Sequence, residues 1–157
     1  MITWLWRSFD EMSNREIYDV LALRQKVFII EQNCFYQDID HQDQFAKHLL
    51  GYKNNKLIAY LRLFPQDARY SDALCFGRFL IAKEERGNGL AKQAMQQLID
   101  YVKKNSPISL ITISAQLYLK DFYALYGLKM VGEPYDEDGV PHVKMSGELI
   151  HCQTRIC

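Results

Sequence analysis

The stretch that most constrains this chain is Leu74 to Asn105, where an apolar run passes through two glycines into an amphipathic helix. Leu74-Cys75-Phe76-Gly77-Arg78-Phe79-Leu80-Ile81 is short, apolar and aromatic, which predicts a buried strand. After Arg86-Gly87-Asn88-Gly89 come Leu90, Ala91, Ala94, Met95, Leu98, Ile99 and Val102 on one helix face, with Lys92, Gln93, Gln96, Gln97, Asp100 and Lys103 opposite. The first turn of a helix has backbone N–H groups without internal partners and carries the positive end of the helix dipole; glycines let an anion approach that backbone. The spacing therefore predicts a phosphate site at residues 86–91, set against the plainer reading of a tight turn whose glycines only satisfy geometry. There is no Gly-x-x-x-x-Gly-Lys-Ser/Thr, and no Gly-x-Gly-x-x-Gly with a ribose-binding acid about 20 residues on, so neither a P-loop nor a dinucleotide fold is indicated.

The 157 residues suit one domain, taken as 1–157, and its 48% hydrophobic and 24% charged content is that of an ordinary globular chain. Nineteen basic and nineteen acidic residues cancel, so no global field would hold it on nucleic acid or an anionic membrane; an anionic ligand must be held locally. Cys34, Cys75, Cys152 and Cys157 share no metal-ligand spacing and no disulfide pattern, and the N-terminus lacks a basic segment followed by an apolar one. Reduced thiols in a cytoplasmic protein are expected, no metal is expected, and no apolar run approaches the roughly 18 residues of a membrane span.

Taken in order, residues 2–9 alternate β-prone side chains and predict a first strand. Ser13-Asn14-Arg15-Glu16 is a capping box, opening a helix with Ile17, Val20, Leu21, Arg24 and Phe28 on one face. Arg24 is a cation on an apolar stripe, and either snorkels to the edge or orders the acidic loop downstream. From Glu31 to Lys47 no period holds, and Glu31, Asp38, Asp40 and Asp43 cluster there, as solvated loop charge or as chemistry. Residues 48–53 and 56–64 predict a hairpin about Asn54-Asn55, and residues 66–73 a polar loop, giving three antiparallel strands with the organising one. Ile108 to Ala115 predicts a strand parallel to it, Tyr118 to Tyr126 a short helix ended by Gly127, and residues 128–131 and 142–145 two last strands around the acidic turn 135–139. No pattern is read after Glu148.

Arg86, Gly89 and Ala91 occupy the defining positions of a Gln/Arg-x-x-Gly-x-Gly/Ala loop, and the stretch 116–128, with Tyr123 and Gly127, follows an Asn-x-x-Ala-x-x-x-Tyr-x-x-x-Gly-Phe block. On these residues and on the element order β-α-loop-β-β-β-α-β-α-β-β the chain resembles the GNAT superfamily of N-acetyltransferases. Gln116, Leu119 and Leu128 depart from that block, the first keeping an amide and the last an apolar plug. Arg24 with Val27-Phe28, residues 31–34 and 36–40, Gly77-Arg78, Ala115-Gln116 and residues 137–142 are similar to the ElaA-like branch. The resemblance implies an α/β (α+β) fold, a mixed and mostly antiparallel sheet whose central parallel pair splays, flanked by helices.

It also implies acetyl-CoA as co-substrate. Its pantetheine arm would lie along the backbone of Phe79, Leu80 and Ile81, its pyrophosphate on Arg86, Gly87, Asn88, Gly89, Leu90 and Ala91, with Gln116 and Tyr123 alongside. Tyr123 would give a proton to the leaving thiolate, or would only pack its helix. An alkyl amine is mostly protonated at neutral pH, so a base is needed; Glu31, Asp38, Asp40 and His142 are the candidates, although His142 follows Pro141 and suits a turn cap. Arg24, Glu31, Asp38 and Asp40 are expected at the acceptor, and the acidic loop predicts a cationic one, a small amine or a lysine or N-terminal amine of a peptide. A homodimer is compatible with this reading. A non-catalytic acyl-CoA-binding or interaction module is the alternative, and Arg24, Phe28 and the three aspartates weakly resemble acyl-homoserine-lactone synthases.

Overall fold

Among the described residues the periods read in the sequence become seven strands and three α-helices: β1 (Thr3–Ser8), α1 (Asn14–Arg24), β2 (Lys47–Lys53), β3 (Lys56–Phe64), β4 (Cys75–Ile81), α2 (Leu90–Asn105), β5 (Leu110–Gln116), α3 (Lys120–Ala124), β6 (Lys129–Glu137) and β7 (Val140–Glu148). The computed structural model describes residues 1–65 and 68–152; part of the expected 66–73 loop and Cys157 lie outside them.

Local signals explain most boundaries. Ser13 Oγ accepts from the Glu16 N–H at 3.0 Å and Glu16 Oε1 accepts from the Ser13 N–H at 2.9 Å, closing the capping box of α1. Asn54 and Asn55 both take positive φ, as a two-residue turn matched to strand twist requires. α2 buries Ala94, Met95, Leu98, Ile99 and Val102 against the sheet, where they join Leu49, Leu61, Leu63, Phe76, Ile111 and Ile113 in the main core, while Leu90 packs with Ile58, Ala59 and Ile81. Gly127, with φ +94, ends the α3 region; a side chain there would meet the Glu148 carbonyl.

Four expectations are corrected. The first helix continues as a π-helical turn over Gln25–Glu31, which apolar spacing at 3.6 cannot foresee. β6 and β7 extend to Asp138-Gly139, so the expected 135–139 turn shrinks to two residues; β6 is exposed throughout and carries no apolar alternation to announce it. The chain beyond Glu148, patternless as sequence, buries Leu149, and the Ile150 N–H donates to the Tyr126 carbonyl at 2.9 Å. Cys34 and Cys75 are free thiols, whereas Cys152 is disulfide-bonded, against the expectation of four reduced cysteines. No described helix is long and apolar enough to cross a membrane.

The strands form two sheets, β1-β2-β3-β4 and β5-β7-β6, with every ladder antiparallel. They meet at one parallel rung, Leu74 with Ile111, where the Leu74 N–H donates to Leu110 O and the Thr112 N–H to Leu74 O, both at 2.9 Å. Beyond it β4 and β5 make no ladder with each other. The parallel pair therefore splays toward its C-terminal ends, and the gap is the cleft that an open α/β sheet offers a ligand.

Candidate active site

A cavity of about 960 Å³ fills that gap. One end is the loop 86–91, where the sequence predicts a phosphate site. Gly87 and Gly89 have φ of +82° and +77°, and no neighbour lies within 4 Å of where a Cβ would stand on either, so the backbone before α2 is open to a large anion. Arg86 Nε donates to the Ile81 carbonyl at 2.9 Å, which fixes the side chain beside the loop, and its guanidinium pairs with Glu31 from the π-helical turn.

The middle is a β-bulge in β4. Tyr60 pairs with Leu80 and Arg62 with Gly77, so Arg78 and Phe79 together stand opposite Leu61. Arg78 has φ +45, costly for a side-chain-bearing residue, and its guanidinium is held where it is: Nε lies 2.8 Å from Asp38 Oδ1 and the group sits over the Tyr36 ring at 5.5 Å.

Tyr123 lines the cleft from α3 and is 5% exposed, with Phe76 and Phe122 edge-on to its ring at 5.8 and 5.3 Å. Its hydroxyl has no hydrogen-bond partner among the described residues. Burial pushes the phenol pKa up, and Tyr118 adds to this, so it holds its proton at neutral pH.

The acidic loop is not free charge. Arg24, fully buried, donates through Nε to Asp38 Oδ2 at 2.9 Å, through Nη1 to Asp43 Oδ1 at 2.8 Å and through Nη2 to the Asp38 carbonyl at 2.9 Å. Of its two readings, loop ordering is the one observed, and snorkelling is ruled out. Arg62, on β3 and equally hidden, bridges Asp40 at 2.9 Å from both Nη atoms and Asp43 at 2.9 Å. For Asp40, burial raises the pKa, but the hydrogen bonds and charge of Arg62, then the Gln42 N–H and Arg78, outweigh it and bring it from 3.8 to about 2. Asp43 is lowered in the same way by Arg24 and Arg62 against its burial. Beneath them His48 Nε2 donates to the Asp43 carbonyl at 2.8 Å while Nδ1 accepts from the Tyr60 hydroxyl at 2.6 Å; burial, then Arg62 and Arg24, lower the imidazole pKa and keep it neutral.

The cleft brings together Phe79, Leu80, Ile81, Arg86, Gly87, Gly89, Leu90, Ala91, Gln116, Tyr123, Glu31, Asp40 and His142, but not Arg24 or Asp38, which are spent on internal pairs behind it. Asn88 belongs to the loop, where its side chain donates to the Glu85 carbonyl at 3.2 Å. His142 presents neither ring nitrogen freely: Nδ1 is 2.7 Å from the Val140 carbonyl and Nε2 3.0 Å from Glu137 Oε2. The expected negative field is corrected, because each loop acid already faces an arginine. Sequence reasoning gave no role to Arg62, Arg78, His48 or Tyr60; the available signal was a lone cation inside the apolar run Leu61-Arg62-Leu63-Phe64, which cannot be left unpaired.

The acetyltransferase (GNAT) domain model matches residues 10–149. The chain belongs to the GNAT acetyltransferase family. Within it, the ElaA protein of Escherichia coli is 36% identical over 152 residues, 96% of this chain and 99% of ElaA, and its crystal structure superposes with a TM-score of 0.88 over 94% of this chain and all of that one. A UPF0039 protein of Synechocystis sp. is 39% identical over 92% of this chain and 94% of its own length. An acyl-CoA N-acyltransferase from Pseudomonas aeruginosa, 32% identical, superposes at a TM-score of 0.89 over 94% and 99% of the two chains. The GNAT fold and the ElaA-like branch expected from the sequence are thus shown, and membership of an acyltransferase family supports acyl-CoA-dependent acyl transfer as the general chemistry.

Proposed function

We propose that the protein transfers the acetyl group of acetyl-CoA directly to an amine nitrogen in a ternary complex. The observation that carries this reading is the Tyr123 hydroxyl, protonated and unpartnered on a buried side chain that lines the cleft into which the glycine loop opens. The glycine backbone and Arg86 would hold the pyrophosphate, and the unladdered edge of β4 at Phe79, Leu80 and Ile81 would take the pantetheine amides. As the amine nitrogen bonds to the thioester carbonyl carbon, the carbon–sulfur bond breaks and the sulfur takes the Tyr123 proton; the nitrogen gives up one proton, which restores the phenol through solvent. The site supports no loop carboxylate as the acceptor of that proton. Glu31 is committed to Arg86 and Asp40 to Arg62, whereas the half-exposed Glu137 can swing off His142 Nε2 and free it, which makes His142 the group we assign as base.

The test is release of CoA thiol on offering acetyl-CoA with a panel of amines, amino acids and lysine peptides. Turnover that Tyr123→Phe reduces supports the reading. Tight acetyl-CoA binding without turnover on any amine would favour a binding module instead.

A further inference from the structure

The end of the cleft away from the phosphate loop is built from arginines, and the cofactor gives them nothing to hold. Arg62 stands opposite Gly77, four residues before Ile81, so about 13 Å of strand separates it from the loop where the pyrophosphate is accounted for. Arg62, Arg69, Arg78 and Asp40 all line this end. Behind it, four guanidiniums (Arg24, Arg62, Arg69, Arg78) share three carboxylates (Asp38, Asp40, Asp43), which leaves one positive charge in excess. The surplus has a location. Asp40 takes Arg62 at 2.9 Å and Arg78 is seated on Asp38 at 2.8 Å, whereas Arg69, 39% exposed, reaches Asp40 only at 3.6 Å while lying over the Phe64 ring at 4.4 Å. Arg62, packed on the same ring at 4.8 Å, keeps a buried Nε with no partner among the described residues. A buried donor without an acceptor is costly unless a ligand supplies one.

The opposite wall carries the other sign. Glu137 and the exposed Asp138, at the tip of the β6–β7 hairpin, line the cleft beside His142, and Cys34 Sγ donates to the Asp138 carbonyl at 3.1 Å, tying the tip to the loop. Between the walls the lining is aromatic, with Tyr36, Tyr70 and Phe76.

We infer that the acceptor is an α-amino acid with an apolar side chain, its carboxylate held by Arg62 and Arg69 and its amine turned toward the Glu137–His142 wall. This rests on the acetyl-transfer reading for the reaction, but the carboxylate subsite stands on its own geometry. Arg69, oriented on the Phe64 face, can offer a planar carboxylate two parallel N–H donors, and Arg62, whose Nη atoms are taken by Asp40 and Asp43, has its Nε left to give.

The experiment is calorimetric titration of the protein, with CoA present, with N-acetylphenylalanine, N-acetylleucine and N-acetylmethionine and with the amide of each. At least one free acid should bind about tenfold or more tighter than its amide, the difference expected of one charge-assisted hydrogen-bonded contact. Arg69→Gln, an exposed change that leaves Arg62 seated on Asp40, should shrink that ratio to below about threefold, and Arg62→Lys should do so independently while CoA affinity holds. Equal binding of acid and amide in every pair, or no binding by any, overturns the subsite. If the acid preference and its loss in Arg69→Gln persist while no free amino acid releases CoA, the acetyl-transfer reading fails and the carboxylate subsite survives.

Discussion

Arg86 and Glu31 form a bridge between the phosphate loop and the π-helical turn: one guanidinium reaches both carboxylate oxygens, with Nη2 3.2 Å from Oε2, while its Nε is anchored on the Ile81 carbonyl. A pyrophosphate arriving at the loop competes with Glu31 for the same cation. Glu31→Gln should therefore tighten CoA binding, by about two- to fivefold at low ionic strength, and added salt should narrow the gap. Weaker binding in a folded variant would show instead that Glu31 positions Arg86 for the ligand.

Gly89 caps α2 in the left-handed region with open space around it. Gly89→Ala should cost about 1–2 kcal/mol of stability from its backbone conformation and weaken CoA binding at least tenfold by blocking the approach of the anion. Gly132→Ala is the control, since Gly132 has the same φ of +77, no crowding neighbour and no place in the cleft. It should cost similar stability and leave CoA affinity alone; equal loss of affinity in both would remove the loop from the site.

Tyr123→Phe keeps both edge-on ring contacts and deletes the proton donor. Acetyl-CoA affinity should hold while kcat falls by about 10- to 1,000-fold. Full turnover with chemistry limiting would leave Tyr123 a packing residue.

Removing Arg24 takes away the fully buried cation that joins Asp38 to Asp43 and leaves each carboxylate with one arginine, Arg78 and Arg62 respectively. Arg24→Met should lower the unfolding free energy by about 3–5 kcal/mol, read from urea denaturation. Because Asp38 also holds Arg78 at its positive φ, any folded fraction should bind CoA less well; a loss below about 1 kcal/mol would mean the loop finds other partners.

The arginine network has an acid limit. The folded pKa of Asp40, about 2, lies below its ordinary 3.8, so its ionised form stabilises the fold above about pH 4 and that contribution is lost as pH falls through about 2; Asp43 shifts in the same direction. The urea midpoint should drop on going from about pH 4 to pH 2 more steeply in the wild type than in Asp40→Asn. Parallel slopes would show that Asp40 contributes nothing in this window.

What the sequence disclosed was what short-range rules encode. The face of α2, the capping box at Ser13 and the Asn54-Asn55 turn each depend on residues a few positions apart, and each formed as expected. The site's walls depend on pairs such as Arg62 with Asp40 and Arg78 with Asp38, separated by 22 and 40 positions. No periodicity reports such a pair, so four acids read as a negative loop when each is matched by an arginine brought from elsewhere in the chain. The π-helical turn was hidden for a different reason: its residues look helical, and only the register of the hydrogen bonds changes.

The single rung at Leu74 and Ile111 places two open strand edges inside the molecule, where most proteins keep theirs at the rim. Such edges are where foreign strands add on and aggregates begin, and exposed ones are usually blunted by charge, proline or cover. Here recession supplies the protection: the edges lie between packed walls, within reach of a slender extended molecule and out of reach of a neighbouring sheet. A guest laid along them displaces no native ladder, so the cost of holding the sheet apart is met when the chain folds, and a ligand arriving later finds the seam already parted.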